Sequence, residues 1–178
     1  MKENLAERLQ VMVGDITKLE VDVIVTAANE SLAGGGGVDG AVHRAAGPGL
    51  FAECRTIGIC PEGEARITRG YLLPARFVIH AVGPVYEDGS FGEAETLASA
   101  YRESLGLAEA HGLAAIAFPC ISTGVYGYPK SEACRVAVDA VVTWLAGHDL
   151  PHEVTFCCFD EDDARLYRDR LAAVLAGS

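Results

Sequence analysis

Two segments of this 178-residue chain carry the residue types that could hold an anion. Residues 21–25 run through TAANESLAGGGGVDG toward a helical pattern beginning near Ala41, and residues 114–118 run through PCISTGVYGYPK toward another at Ser131. Each is a β-rich run, a glycine-bearing loop and then a helix. In an α/β sheet, ligands collect at the carboxyl ends of strands, where helix N-termini aim N–H groups outward. Two such loops side by side would clasp one anion from two sides. Glycine permits positive φ and close approach of backbone to ligand. The run at 34–37 is too short for a linker. It is also an expensive way to build a mere turn, since each glycine loses much conformational freedom on folding.

Several sharper motifs are absent. No Lys-Ser/Thr follows a glycine at P-loop spacing. Gly35, Gly37 and Gly40 match GxGxxG, but nine residues separate Gly35 from Val25, where a dinucleotide fingerprint follows its strand at once. No second substrate domain supports nicotinamide chemistry. Cys120-Ile-Ser122-Thr-Gly124 resembles a nucleophile elbow with Cys in the first glycine position. No histidine partner is evident, so Ser122 reads as a hydrogen-bonding hydroxyl. Between Cys120 and Pro129 there is no Lys or Arg. A phosphate there is expected on backbone N–H groups and the Ser122 and Thr123 hydroxyls, at roughly 1.5–3 kcal/mol per hydrogen bond to charge. The six cysteines form no CxxC pair and read as reduced thiols, with Cys157 and Cys158 as core residues. His148 and His152 have helical spacing, but Pro151 between them breaks a helix. No metal site and no cofactor are expected.

These loops need a rigid frame. Half the residues are apolar and 22% are charged, which suits one soluble domain over residues 1–178. A net charge of −11 argues against broad nucleic-acid binding but not against a small anion held by local dipoles. No run of about 18 apolar residues exists to span a membrane. MKENLAERLQ is charged from its start and lacks the apolar stretch of a secretory leader, so a cytoplasmic location is expected. Strands are expected at 10–13, 21–25, 64–68, 76–81, 114–118 and 153–159. Helices are expected at 40–46, 93–110, 131–145 and 162–175. The alternation predicts an α/β fold with a largely parallel sheet covered on both faces.

Longer motifs then fall into place. Gly14-Asp15-Ile16-Thr17, Ala27-Ala-Asn29, the run from Gly34 to Gly47, Val78-Ile-His80, Val82-Gly-Pro84, Phe118-Pro119, Ile121 through Pro129 and Phe159-Asp160 closely resemble a macrodomain of the MacroD type, which includes bacterial O-acetyl-ADP-ribose deacetylases. The resemblance covers nearly the whole chain. It implies a three-layer α/β/α sandwich with a mixed, largely parallel sheet. It implies ADP-ribose or O-acetyl-ADP-ribose as ligand, with hydrolysis of esters on the distal ribose and, beyond the free ligand, ADP-ribosylated Asp or Glu on proteins. It makes Asp15 the acceptor for the adenine amino group with Ile16 beside it, and Phe159 the adenine stacking face. It places Asn29, Gly37, Val38 and Asp39 around the distal ribose. It makes Ser122, Thr123, Gly124, Val125 and Tyr126 the pyrophosphate loop, with Tyr126 covering the distal side. The catalytic pair would be Asn29 and Asp39.

Plainer readings stand beside these roles. Asp15 can be a turn or helix cap, Phe159 a core aromatic at a strand end, and Asp39 an N-cap or a first-turn carboxylate favoured by the helix dipole. The family usually has Asn where this chain has Thr26, which bears on how the turn to Asn29 is anchored. An ordinary carboxylate with a pKa near 4 is a weak base at neutral pH, so Asp39 is expected either as general base or as a positioner of water and ribose. The alternative function is a non-catalytic ADP-ribose reader.

Overall fold

The computed structural model describes residues 4–177. Residues 1–3 of the charged amino-terminal stretch, and residue 178, lie outside the described residues. The elements are α1 (Leu5–Arg8), β1 (Leu9–Val13), β2 (Val23–Ala27), α2 (Gly37–Ala46), α3 (Pro48–Ile57), β3 (Ala65–Arg69), β4 (Phe77–Ala81), α4 (Glu93–Ala110), β5 (Ala115–Phe118), α5 (Lys130–Gly147), β6 (Glu153–Cys158) and α6 (Glu161–Ala176). A 3-10 turn at Ile16–Lys18 follows β1.

The sheet order is β1-β6-β5-β2-β4-β3. All neighbours are parallel except β3, which pairs antiparallel with β4. Alternation along each inner strand feeds two separate cores. Val23, Val25, Ile79, Phe118 and Phe156 pack with Leu97, Tyr101, Val138, Val141 and Tyr167 from α4, α5 and α6. Ile24, Val78, Ala117 and Cys157 face the other way, onto Val42, Ala46, Leu50 and Cys54 of α2 and α3. Strands buried on both faces must be apolar throughout, which is why Val23, Ile24 and Val25 run without interruption. The result is an α/β/α sandwich with a mixed, mostly parallel sheet, as the sequence predicts. Among the described residues, no helix is long and apolar enough to cross a membrane.

Three departures from the sequence expectation matter for the site. β2 lies at Val23–Ala27 rather than 21–25, so Thr26 is a buried strand residue. α2 begins at Gly37 rather than residue 40, which puts Val38 and Asp39 inside its first turn. α3 was not expected. Its start was nonetheless written in Gly47-Pro48: Gly47 closes α2 at φ 84 with its N–H on His43 O, and Pro48 opens the next helix.

Candidate active site

The carboxyl ends of the parallel strands share one edge of the sheet, so strand order fixes the order of the loops along it. β1 delivers Asp15 and Ile16. β6, its neighbour, delivers Phe159. β5 delivers the loop through Ser122 and Tyr126, and β2 delivers Asn29 and the glycine run that enters α2. The two central loops enclose a cleft of about 300 Å³ lined by Asn29, the glycines at 34–37, Val38, Asp39, Ser122, Gly124, Val125 and Tyr126. Asp15, Ile16 and Phe159 lie outside this cleft, farther along the edge.

The cleft walls are built from amides. Gly34, Gly35 and Gly37 have φ of 82°, 151° and 60°, a backbone that side chains resist, and this explains the glycine run. Gly37, Val38 and Asp39 open α2, where N–H groups lack an intrahelical acceptor. Across the cleft, among the described residues, the N–H groups of Thr123, Gly124, Val125 and Tyr126 donate to no protein acceptor. The two walls together offer amide donors of the kind that suit an anion, with no Lys or Arg in the lining.

The hydroxyls do something other than expected. Ser122 Oγ donates to Pro84 O at 2.9 Å, and Thr123 Oγ1 donates to Cys120 O at 3.3 Å. Both protons hold the loop rather than an anion. Ser122 itself adopts φ 69, and its carbonyl receives Tyr128 N. Gly83 makes this possible: a Cβ there would sit 2.1 Å from Ser122 Oγ. Tyr126 is half-buried, and its carbonyl accepts Tyr86 N–H at 2.8 Å.

Asp39 is 5% exposed. Its Oδ1 accepts the Thr26 hydroxyl proton at 3.0 Å and lies 3.7 Å from His43 Nε2, while Oδ2 has no partner. Burial pushes its carboxyl above the ordinary range, against the smaller lowering influences of Thr26 and His43. Of the two plain readings, the N-cap is corrected, since Gly36 occupies that position and the Asp39 side chain caps nothing, while the first-turn carboxylate holds. Thr26 is also re-read. It anchors the carboxylate, not the turn. The sequence analysis missed His43, which stands i, i+4 from Asp39 on one helix face once α2 starts at Gly37.

Asn29 is half-buried. Its Nδ2 donates to Gly34 O at 2.9 Å, while Oδ1 accepts from Ser31 Oγ and Ala33 N at 2.8 and 3.3 Å. It pins the loop into shape and keeps one Nδ2 hydrogen uncommitted. Asp15 is exposed and does cap a turn, with Oδ1 accepting Thr17 N at 3.0 Å and Thr17 Oγ1 at 2.6 Å. Those bonds lower its carboxyl below the usual value and leave Oδ2 open. Ile16 is buried in the core beneath. Phe159 is 89% exposed, so it is not a core aromatic. The Gly14 N–H to Cys158 O bond, 3.2 Å, holds Asp15 and Phe159 on adjoining strand ends.

A sandwich of this kind, with strand-end loops lined by free amides and a buried carboxylate in the cleft wall, suits a diphosphate-bearing ligand. Residues 25–137 match the Macro domain family, and the chain belongs to it. Among its relatives, a Klebsiella pneumoniae protein named O-acetyl-ADP-ribose deacetylase is 56% identical over 173 residues, 95% of this chain and 99% of that one. The Oceanobacillus iheyensis macrodomain solved with ADP is 42% identical, with a TM-score of 0.94 over 100% of this chain and 97% of that one. The Trypanosoma brucei macrodomain in complex with ADP-ribose is 44% identical, with a TM-score of 0.88 over 94% and 70% of the two chains.

The Thr26–Asp39 bond has a measurable consequence. Thr26→Val keeps the strand packing and removes the donor, so the Asp39 carboxyl rises further. The acid limb of the pH–rate profile moves to higher pH, and turnover falls more under mildly acidic than under alkaline conditions. ADP-ribose affinity stays within about threefold, since less than about 1 kcal/mol of binding is lost. A pH–rate profile that superimposes on wild type would show that Thr26 only fills space.

Proposed function

We propose that this protein binds ADP-ribose along the strand-end edge and hydrolyses the ester of O-acetyl-ADP-ribose. One observation carries the catalytic part: a buried carboxylate, Asp39, whose Oδ2 has no protein partner, in the wall of an amide-lined cleft. Adenine lies at the β1–β6 end, its amino group donating to Asp15 Oδ2 and its ring on Phe159, beside Ile16. The pyrophosphate lies between the 123–126 amides and the first turn of α2. The distal ribose then meets Asn29, Gly37, Val38 and Asp39, with Tyr126 over it.

In this arrangement Asp39 holds and polarises a water molecule. Water oxygen attacks the ester carbonyl, its proton moves toward Asp39, and the carbon–oxygen bond to ribose breaks. The ribose oxygen takes up a proton, acetate leaves, and ADP-ribose remains. Raised basicity strengthens Asp39 as a proton acceptor compared with an ordinary carboxylate. ADP-ribosyl esters on protein Asp or Glu carry the same bond and are substrates of the same chemistry. The free cysteines suit a reducing compartment such as the cytoplasm. The reader alternative drew its support from Thr26, and that residue holds the carboxylate in place.

The test is acetate release from O-acetyl-ADP-ribose beside a calorimetric titration with ADP-ribose. Binding without release assigns the protein to the readers; no binding removes both readings. The lining also predicts the salt response. Raising salt from low to high changes ADP-ribose affinity by less than about tenfold, because hydrogen bonds from amides are screened far less than exposed ion pairs. A larger loss in the same titration would mean that a basic side chain carries the phosphates.

A further inference from the structure

Behind Asp39 lies a cluster that the proposed reaction leaves unused. His43 of α2, Cys54 of α3 and His80 of β4 bring one donor atom each to within 4.8 Å of one another. Cys54 and His80 are buried, and Cys54 Sγ is 3.8 Å from His80 Nε2. His43 Nε2 and His80 Nδ1 are buried without a hydrogen-bond partner, as is Asp39 Oδ2. Buried polar atoms are seldom left unpaired, and His43 Nε2 is one of them, within reach of Cys54 and His80.

We infer that His43, Cys54 and His80 form a binding site for one thiophilic divalent cation of the Zn2+ type, with the Asp39 carboxylate, 3.7 Å from His43 Nε2, beside it. A thiolate and two imidazoles select such an ion over Mg2+ or Ca2+. Tetrahedral zinc with bonds of about 2.0–2.3 Å sets its donors roughly 3.3–3.8 Å apart. The Cys54–His80 pair already meets that spacing, and the half-buried His43 offers its donor atom within 4.8 Å of both. Charge balances as well: one dication, one thiolate and one carboxylate sum to zero, which a buried site tolerates.

Thr68 Oγ1 lies 2.9 Å from the same His80 Nε2 and gives up that contact when the ion binds. The entry path is a groove between Gly34, Gly35, Arg44, Pro48 and Phe51, into which His43 opens. Burial holds the Cys54 thiol up at about 11, so the metal displaces its proton: S–H breaks, S–Zn forms, and one proton is released. The ion then sets a positive charge beside the Asp39 carboxylate and lowers its basicity. Zn2+ is thus an inhibitor of this active site, reversed by a chelator.

The experiment uses metal-free protein kept reduced with a phosphine. Zn2+ is titrated by calorimetry, and Co2+ by its thiolate-to-metal charge-transfer absorption. The expected result is one Zn2+ per chain, a charge-transfer band with Co2+, and at least about tenfold weaker Zn2+ binding in both Cys54→Ser and His43→Ala. The band vanishes in Cys54→Ser, while ADP-ribose binding shows that the variant is folded. Stoichiometric binding that is unchanged in both variants would assign the ion to exposed histidines and overturn the proposal. So would the absence of a charge-transfer band in wild type. These readouts need no turnover, so their failure is separate from any failure of the hydrolase reading.

Discussion

Asp39→Ala lowers acetate release at least about a hundredfold, the scale of a lost general-base contribution. ADP-ribose affinity changes by less than about tenfold, because the amides of both loops and the adenine contacts persist. The split follows from chemistry: alanine removes the Asp39 carboxylate but keeps its backbone amide in the wall of the cleft. Single-turnover acetate release and a binding titration on one preparation measure both numbers. A mutant as active as wild type would move catalysis to Asn29, Tyr126 or the substrate's own phosphate.

The same residue carries a stability signature. Burial raises its carboxyl in the folded state above the unfolded value, so the folded protein holds that proton more tightly. The stabilisation from protonation is complete below the unfolded value and is lost as pH rises through the folded one. Asp39→Asn removes that loss, because its carbonyl still accepts from Thr26. At neutral pH this variant melts higher than wild type, and the difference shrinks as pH falls into the carboxylate range. Thermal melts across pH check the sign; a uniform drop in melting temperature would show that the carboxylate itself stabilises the fold.

Asp15→Ala weakens ADP-ribose binding by about 1.5–3 kcal/mol, the worth of a hydrogen bond to charge, or roughly ten- to a hundredfold. It also removes the cap on Thr17, so a stability loss of about 1 kcal/mol accompanies it. Asp15→Asn separates the two roles. Its side-chain oxygen still accepts from Thr17, which preserves the turn, but the group facing adenine becomes an amide donor. Affinity then falls as in the alanine variant while the melting point holds. If Asn binds like wild type, Asp15 is only a cap.

The strands and the closing helices were legible because apolar runs and helical stripes report burial directly. The errors lay where chain geometry outweighs pattern. Thr26 broke no apolar run, but nothing in its type revealed that β2 runs on to Ala27 and turns the hydroxyl toward α2. Placing α2 at residue 40 followed from treating every glycine as loop, while Gly37 is the helix's first residue. That shift of three residues hid the Asp39–His43 pair. The roles of Ser122 and Thr123 could not be read from type, because a hydroxyl donates equally well to a phosphate or to a carbonyl. Only the position of Pro84 O and Cys120 O decides between them.

The run of uncommitted N–H groups from Thr123 to Tyr126 bears on how this site can change over generations. Every residue except proline supplies the same donor, so in the proposed binding mode recognition of the diphosphate is not encoded in the side chains that present it. Drift at Val125, whose side chain is fully exposed, leaves the donor intact. A substitution that changes no donor can do more harm, if it pushes the loop off its course. Gly83, which lines the same cleft, is such a place, since a methyl group there collides with Ser122. Selection on this pocket therefore acts chiefly on the path of the main chain, and the positions most intolerant of exchange include ones that offer the ligand no side chain.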